Sequence, residues 1–468
     1  MTRSTKDSHR SPLPVAVVGA GPVGLVAAAH LLARGETPLI LEAGEAVGAS
    51  IREWGHVRLF SPWKHLTEPV SRRMLEAHGW THPPGESLPT GWELVRDFLE
   101  PLANLPSLAP HLHLGQRVVG ITRQGFDKVR TAGRQAAPFE LVVRTREGGI
   151  QRHRARAVLD ASGTWTTPNP VGAGGLPAEG EEEFRDHLRY GIPDIRGAER
   201  ARYAGLRTLV VGSGHSAFHS VLELSRLGED APGSEVIWAV RGTEPGGMFG
   251  GGGRDALPAR GRLGEGLRAL VTEGSVRLVT GFRVARIEGS GDRLQVVAEC
   301  GTRLDPVDQI IVNTGFRPDL RILRELRIDL DPWLEAPAKL APLIDPNLHS
   351  CGSVPPHGYD TLGHPEQDVF VLGMKSYGRA PTFLVLTGFE QVRSVVRGLT
   401  GDLEGARRVE LVLPETGVCS SDFLAGTWAP DGVRDGTPDG GADRGPAAVP
   451  AAIPATAPRP PTGSACCG

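Results

Sequence analysis

Residues 14–44, PVAVVGAGPVGLVAAAHLLARGETPLILEAG, decide the fold. An apolar run from Val15 to Val18 enters a glycine-rich turn, Pro22 opens an Ala/Leu-rich helix that Gly35 stops, and a second apolar run ends at Glu42. That succession is a βαβ unit. Within the turn Gly19 permits the sharp bend, Gly21 lets the backbone approach a pyrophosphate, and Gly24 lets the helix pack close to the strand. The helix start offers unpaired N–H groups and about half a positive charge to phosphate. Glu42 stands 23 residues after Gly19, where a carboxylate accepts from ribose hydroxyls. A lone G-x-G-x-x-G is often only a tight turn. Joined to a strand, a helix and a terminal acid, it reads as a dinucleotide site.

The charged start MTRSTKDSHR and the apolar run Val15 to Leu32 together imitate a signal peptide or a membrane anchor. Gly19, Gly21, Pro22 and Gly24 interrupt the run and Arg34 closes it, so strand, turn and buried helix is the better reading.

The same order returns roughly 190 residues later in LRTLVVGSGHSAFHSVLELSRLGEDAPGSEVIWAVRG, residues 206–242. Gly212, Ser213 and Gly214 form the phosphate turn, with Ala217 in the third small position. Here the second apolar strand ends in Arg241 instead of an acid. A guanidinium there favours the 2′-phosphate of NADPH, which a carboxylate repels. The plainer alternative is a solvated surface arginine. His215 at the helix start reads as a cap, and the alternating His111 and His113 as ordinary strand residues.

Between the two units, period-2 stretches at 118–125, 139–145 and 154–163 predict an antiparallel meander, and 282–289 with 294–300 predict another pair. VELVLP at 409–414 is the last expected strand. From residue 425 the chain is rich in Pro, Gly, Ala and Asp, too poor in apolar area to offset ordering entropy, and is expected to be disordered. The expected architecture is α/β, with two Rossmann-like dinucleotide-binding domains, an inserted β-meander and a disordered tail. Its boundaries are 14–165 and 319–400 for the two parts of the first domain, 200–318 for the second, 401–424 for an extension and 425–468 for the tail.

With 468 residues the chain suits two or three domains, and 51 basic against 54 acidic residues leave a net charge of −3. No single-sign field points to nucleic acid or an anionic membrane, so small-molecule partners are expected. Five cysteines in no disulfide framework suit a reducing, cytoplasmic setting. Oligomeric state is not legible.

The two fingerprints, VLDASGTW at 158–165 and IVNTGFRPD at 311–319 together resemble the two-dinucleotide-binding-domain flavoproteins, which embrace flavin monooxygenases and pyridine-nucleotide disulfide reductases. The resemblance spans roughly residues 14–400. It implies FAD in the first unit and NADPH in the second. It further implies that Ser162-Gly163 and Thr314-Gly315 mark the returns of the chain at the domain crossovers. The stretch around Gly373 is then near the flavin, ahead of a helix starting near Thr387.

Disulfide reductases need two thiols close enough to join, within about 6 Å Cα to Cα. The sequence has no C-x-x-C or C-x-x-x-x-C pair, and Cys300 and Cys351 stand alone. The remaining branch resembles flavin monooxygenases, in which NADPH reduces FAD and molecular oxygen supplies one atom to a soft nucleophile. Their F-x-G-x-x-x-H signature is only loosely echoed by the stretch from Phe184 through His187 to Tyr190, so the substrate stays open. No catalytic acid or base is identified.

Cys466-Cys467 precede the final Gly468, and Cys419 lies in GVCSSD. Thiolates are preferred ligands of soft metals and metalloids, and three of them suit a trigonal ion such as As(III). The tail resembles the C-terminal vicinal cysteines of mercuric reductase and the Cys-ended flavin monooxygenase-like proteins encoded with arsenic-resistance genes, a likeness shared by GSGHSAF at 212–218 and YGIPD at 190–194. A flexible tail of roughly 45 residues spans some 35 to 40 Å, enough to bring its thiols to a flavin cleft at roughly millimolar effective concentration. An NADPH-dependent monooxygenase acting on arsenite or an organoarsenical is the leading expectation. A general N/S-oxygenase or NADPH oxidase with an idle tail, and a flavin-bound metalloid sensor or carrier, are the alternatives.

Overall fold

The computed structural model describes residues 13–243, 249, 258–349, 354–381 and 383–411. Its strands run, in chain order, β1 (Val15–Val18), β2 (Pro38–Leu41), β3 (Leu112–His113), β4 (Gln116–Arg123), β5 (Phe139–Thr145), β6 (Ile150–Ala155), β7 (Ala157–Asp160), β8 (Leu188–Tyr190), β9 (Arg207–Val211), β10 (Glu235–Ala239), β11 (Arg277–Val279), β12 (Val284–Ser290), β13 (Arg293–Ala298), β14 (Gln309–Val312) and β15 (Val369–Val371).

The first sheet is parallel throughout, in the order β15-β7-β1-β2-β3. Side chains on successive residues of β1 leave on opposite faces. Val15 and Val17 pack with the helix layer of Pro22–Ala33 and Val385–Leu399, whereas Ala16 and Val18 pack against the meander β4-β5-β6. Covered on both faces, the strands are continuously apolar, as parallel strands must be. Because β15 and the helix Val385–Leu399 come from the far end of the chain, the first domain closes only after the second is complete.

The second sheet is also parallel, in the order β11-β10-β9-β14-β8. One face packs on the helix His215–Asp230 through Val210, Trp238 and Ile311. The other packs on the β12-β13 hairpin through Leu209, Val211 and Ile237. β8 pairs with β14, so this sheet takes in residues ahead of residue 200.

Two expected strands differ. Alternation predicts one meander strand over 154–163, yet β6 ends at Ala155 and Ala157–Asp160 crosses into the first sheet between β1 and β15. The reason is burial: every residue of β7 is buried, while β6 is mostly exposed and keeps one edge in solvent. Residues 409–411 carry no strand, and the rest of that expected strand lies outside the described residues. The tail and its Cys419, Cys466 and Cys467 lie outside them too, as does Cys351. Among the described residues no helix is long and apolar enough to cross a membrane.

Candidate dinucleotide sites and the seam between them

At the carboxyl end of β1 the three glycines serve three steric ends. Gly19 has φ +100°, and a Cβ there would stand 2.8 Å from the Ala161 carbonyl. A Cβ on Gly24 would come within 2.0 Å of the Gly19 carbonyl, so helix and turn touch backbone to backbone. Gly21 is different: its φ of −80° suits any residue, and nothing lies within 4 Å of where its Cβ would be. That open space would admit a pyrophosphate. Gly21 caps the helix Pro22–Ala33 without any side-chain bond, leaving the first-turn N–H groups to face it.

Glu42 is buried beside this turn. Its carboxylate accepts from Ala20 N at 2.6 Å and from Gly44 N at 2.7 Å. It therefore braces the loop from the β2 side, where an adenosine ribose would approach.

On the β7 side the chain turns through Ser162 and Gly163. Gly163 has φ +70°, and its Cβ position is also open. Asp160, fully buried at the end of β7, accepts from Ser162 N at 3.1 Å and Ser162 Oγ at 2.6 Å. Lys375, 1% exposed, donates to Asp160 at 2.7 Å and to Ser162 Oγ at 3.0 Å. Gly373, two residues earlier at the end of β15, has φ +68°, and a Cβ on it would press on Val23 at 3.1 Å. The Gly373 N–H donates to Gln391 Oε1 at 2.8 Å, and Gln391 Nε2 bonds Ser376 Oγ and His357 Nε2, each at 2.9 Å. Burial holds the His357 imidazole below its ordinary pKa, so it meets this donor neutral. Gly388, in the first turn of the helix Val385–Leu399, closes against Val23 and Gly373. The first fingerprint, β7 and the last strand among the described residues, β15, thus share one shelf.

The second turn repeats the logic with more exposure. Gly212 has φ +137°, and a Cβ there would collide with the Asn313 carbonyl at 2.2 Å. Gly214 is extended and open, caps the helix His215–Asp230 without a side-chain bond, and is exposed together with Ser213. Ala217 is fully buried under the turn. Arg241 is exposed, and its Nη1 donates to the Ala173 carbonyl at 3.1 Å. Trp238, invisible as a site residue in sequence, supports the turn by donating from Nε1 to the Gly212 carbonyl at 2.8 Å.

The two units meet along an aromatic seam. Phe60 of the first lies 5.3 Å, ring to ring, from His215, and His56 lies 6.2 Å from His219. His56 Nε2 donates to the Pro193 carbonyl at 3.1 Å. Burial, with a smaller push from His56, lowers the His219 pKa against the opposing pull of Glu223. Trp165 stacks on Phe316 at 4.7 Å. Trp165 lies in the turn after β7 and Phe316 in the segment after β14, and these two segments bind each other through Asn169 N to the Gly315 carbonyl (2.9 Å), Thr314 Oγ1 to the Asn169 carbonyl (2.8 Å) and Arg317 Nε to Asn169 Oδ1 (2.8 Å). His56 carries no motif that would single it out, whereas Trp165 and Phe316 lie in the stretches 158–165 and 311–319 that carry the family resemblance. Cys300 is exposed at the turn after β13.

Comparison with known proteins supports this architecture. Residues 17–75 match the family described as an NAD(P)-binding Rossmann-like domain. No curated protein matches the chain. Among solved structures it is similar to the bacillithiol disulfide reductase of Bacillus cereus (18% identity, TM-score 0.61, covering 83% of this chain and 98% of that one). It is also similar to the flavin-containing monooxygenase of Stenotrophomonas maltophilia (23%, 0.52, 83% and 98%). A third likeness is to the FAD-bound cadaverine monooxygenase of desferrioxamine biosynthesis from Erwinia amylovora (12%, 0.59, 87% and 98%). At these identities the likeness establishes the fold.

Proposed function

We propose that the chain is an FAD- and NADPH-dependent oxidoreductase that works as a monooxygenase. The observation that carries this reading is the pairing of two open phosphate turns, at Gly21 and Gly214, on two Rossmann-like sheets whose carboxyl ends face one seam. The partly buried first turn, continued by the Ser162–Gly163 shelf, suits a resident FAD. The exposed second turn with Arg241 suits a nucleotide that comes and goes. The flavin-using neighbours, one of them bound to FAD, support a flavin cofactor.

Bound FAD would supply two-electron reduction by NADPH and the activation of oxygen. The balance is one NADPH, one proton and one O2 consumed per oxygen atom transferred, with NADP+ and water released. The protein's part is to hold the pyrophosphate at Gly21, brace the ribose side with Glu42, and keep water out of the seam with Phe60, Trp165 and Phe316. A dithiol relay is disfavoured because no two cysteines stand at relay spacing in the sequence.

The finer reading is that the substrate is a soft trivalent species, arsenite or an organoarsenical, gathered by Cys419, Cys466 and Cys467. What supports it is the thiol chemistry of those three residues in the sequence. The deciding experiment follows NADPH and oxygen consumption by the FAD-loaded protein with and without arsenite or methylarsenite. Stimulation with one oxygen per NADPH and an oxidised arsenical as product supports the reading. Stoichiometric peroxide with no substrate effect reduces it to an NADPH oxidase.

A further inference from the structure

Asn313 follows β14, beside the second phosphate turn, and is 7% exposed. Its backbone N–H donates to the Val211 carbonyl at 2.8 Å, and its side-chain Nδ2 donates to the Gly191 carbonyl at 2.6 Å. The second bond fixes which way the carboxamide faces. The other end, Oδ1, is buried and has no hydrogen-bond partner. An acceptor left in that state costs about 1 to 3 kcal/mol, so it calls for an explanation in a native structure.

Topology says what lies over it. The sheet order places β10 on one side of β9 and β14 on the other. A dinucleotide lies extended across the carboxyl ends of such strands with its phosphates at the Gly212–Gly214 turn. Arg241 follows β10, so the adenosine half runs that way and the nicotinamide half runs over β14, where Asn313 is. The seam converges on the same place from the opposite side. A Cβ on Gly191 would lie 2.8 Å from Trp165, and His56 donates to Pro193, so the segment that holds the Asn313 carboxamide through Nδ2 touches the first unit. Nucleotides bound in both units would pass a hydride near this segment.

We propose that Asn313 Oδ1 is the acceptor for the primary carboxamide of the nicotinamide ring, and so sets which part of the nucleotide faces the first unit. The nicotinamide carboxamide offers two N–H donors, and pairing with one removes the cost that the free protein carries. The inference rests on the nucleotide reading given above and names a residue outside both glycine turns.

The test uses the full chain loaded with FAD and measures binding, without turnover, of three probes: NADPH, its 3-acetylpyridine analogue, which lacks the carboxamide N–H groups, and 2′,5′-ADP, which lacks the nicotinamide half. Asn313→Leu is expected to weaken NADPH about tenfold, equivalent to ~1.4 kcal/mol, while 2′,5′-ADP binds as before and the acetylpyridine analogue binds parent and variant alike. If leucine disturbs the turn enough to weaken 2′,5′-ADP, Asn313→Ala, which adds no volume, is judged by the same ratio. Unchanged NADPH affinity, or equal losses for NADPH and 2′,5′-ADP in both variants, overturns the proposal. An equal loss for the acetylpyridine analogue overturns the carboxamide assignment. If the parent binds neither NADPH nor 2′,5′-ADP, the nucleotide reading itself fails and takes this inference with it.

Discussion

Lys375 and Asp160 form an ion pair at 2.7 Å with both side chains almost fully removed from solvent, one from the segment after β15 and one from the end of β7. They are 215 residues apart in sequence. Asp160 in turn holds the Ser162 hydroxyl and N–H, so the pair fastens the last strand of the first sheet to the loop that would face the flavin. Removing one member leaves the other charge buried and unpaired, which costs about 3–5 kcal/mol. Lys375→Met is therefore expected to lose that much stability in urea denaturation. The double variant Asp160→Asn with Lys375→Gln, which leaves no lone charge, should recover most of it. A single variant as stable as the parent would show that the pair does not hold the shelf together.

The glycines of the first turn separate fold from cofactor. At Gly21 the backbone is extended and the Cβ position is open, so Gly21→Asp should fold with parent-like circular dichroism and yet purify without FAD, its carboxylate facing the pyrophosphate. At Gly24 a single methyl group would meet the Gly19 carbonyl at 2.0 Å, so Gly24→Ala should fail in folding itself. Flavin retained by Gly21→Asp would remove FAD from this turn.

Arg241 gives a nucleotide-specific outcome. Its exposed guanidinium uses one N–H on the Ala173 carbonyl and has others for a 2′-phosphate. A charge-assisted contact contributes about 1.5–3 kcal/mol, so Arg241→Ala should weaken NADPH and 2′,5′-ADP by ten-fold or more and leave NADH nearly unchanged. Equal losses for NADPH and NADH would place the 2′-phosphate elsewhere.

His364 sets an acid limit on stability. Burial pushes its pKa down to about 4, against the opposing effect of the Asp329 backbone, and its Nε2 has no partner. The folded state thus binds fewer protons than the unfolded state between the folded value near 4 and the ordinary value near 6.5. Stability is complete above about 6.5 and falls with acidification through about 4, by roughly 3 kcal/mol from this residue. His364→Asn, which cannot titrate, should flatten that limb in denaturation curves taken across the same pH window. An unchanged slope would assign the acid limit to other groups.

The tail is tested by a chain cut after Leu424 that also carries Cys419→Ser. Flavin content and NADPH binding should match the parent, while the metalloid concentration needed for NADPH oxidation rises sharply. Cys466→Ser or Cys467→Ser alone should already weaken metalloid binding, since water replaces a lost thiolate poorly. Stimulation that survives unchanged at limiting metalloid makes the cysteines bystanders and favours a general oxygenase.

Local sequence determined the parts whose causes are local. The turns at Gly19–Gly24 and Gly212–Ala217 need small residues at set spacings, and apolar runs beside them can only be buried parallel strands, so both βαβ units and the antiparallel pairs β4-β5 and β12-β13 were legible in advance. Pattern failed where two elements abut without a break, as at Ala155 and Ala157, because alternation cannot tell the end of a meander strand from the start of a sheet strand. Only the tertiary structure decided what distant segments do to each other. Lys375 meets Asp160, Gln391 reaches Gly373, and the unpaired Oδ1 of Asn313 is enclosed beside Gly191 because the chain leaves the first domain, completes the second and returns. Periodicity records which face of its own element a residue takes, whereas the partner across that face is set by how separate elements pack.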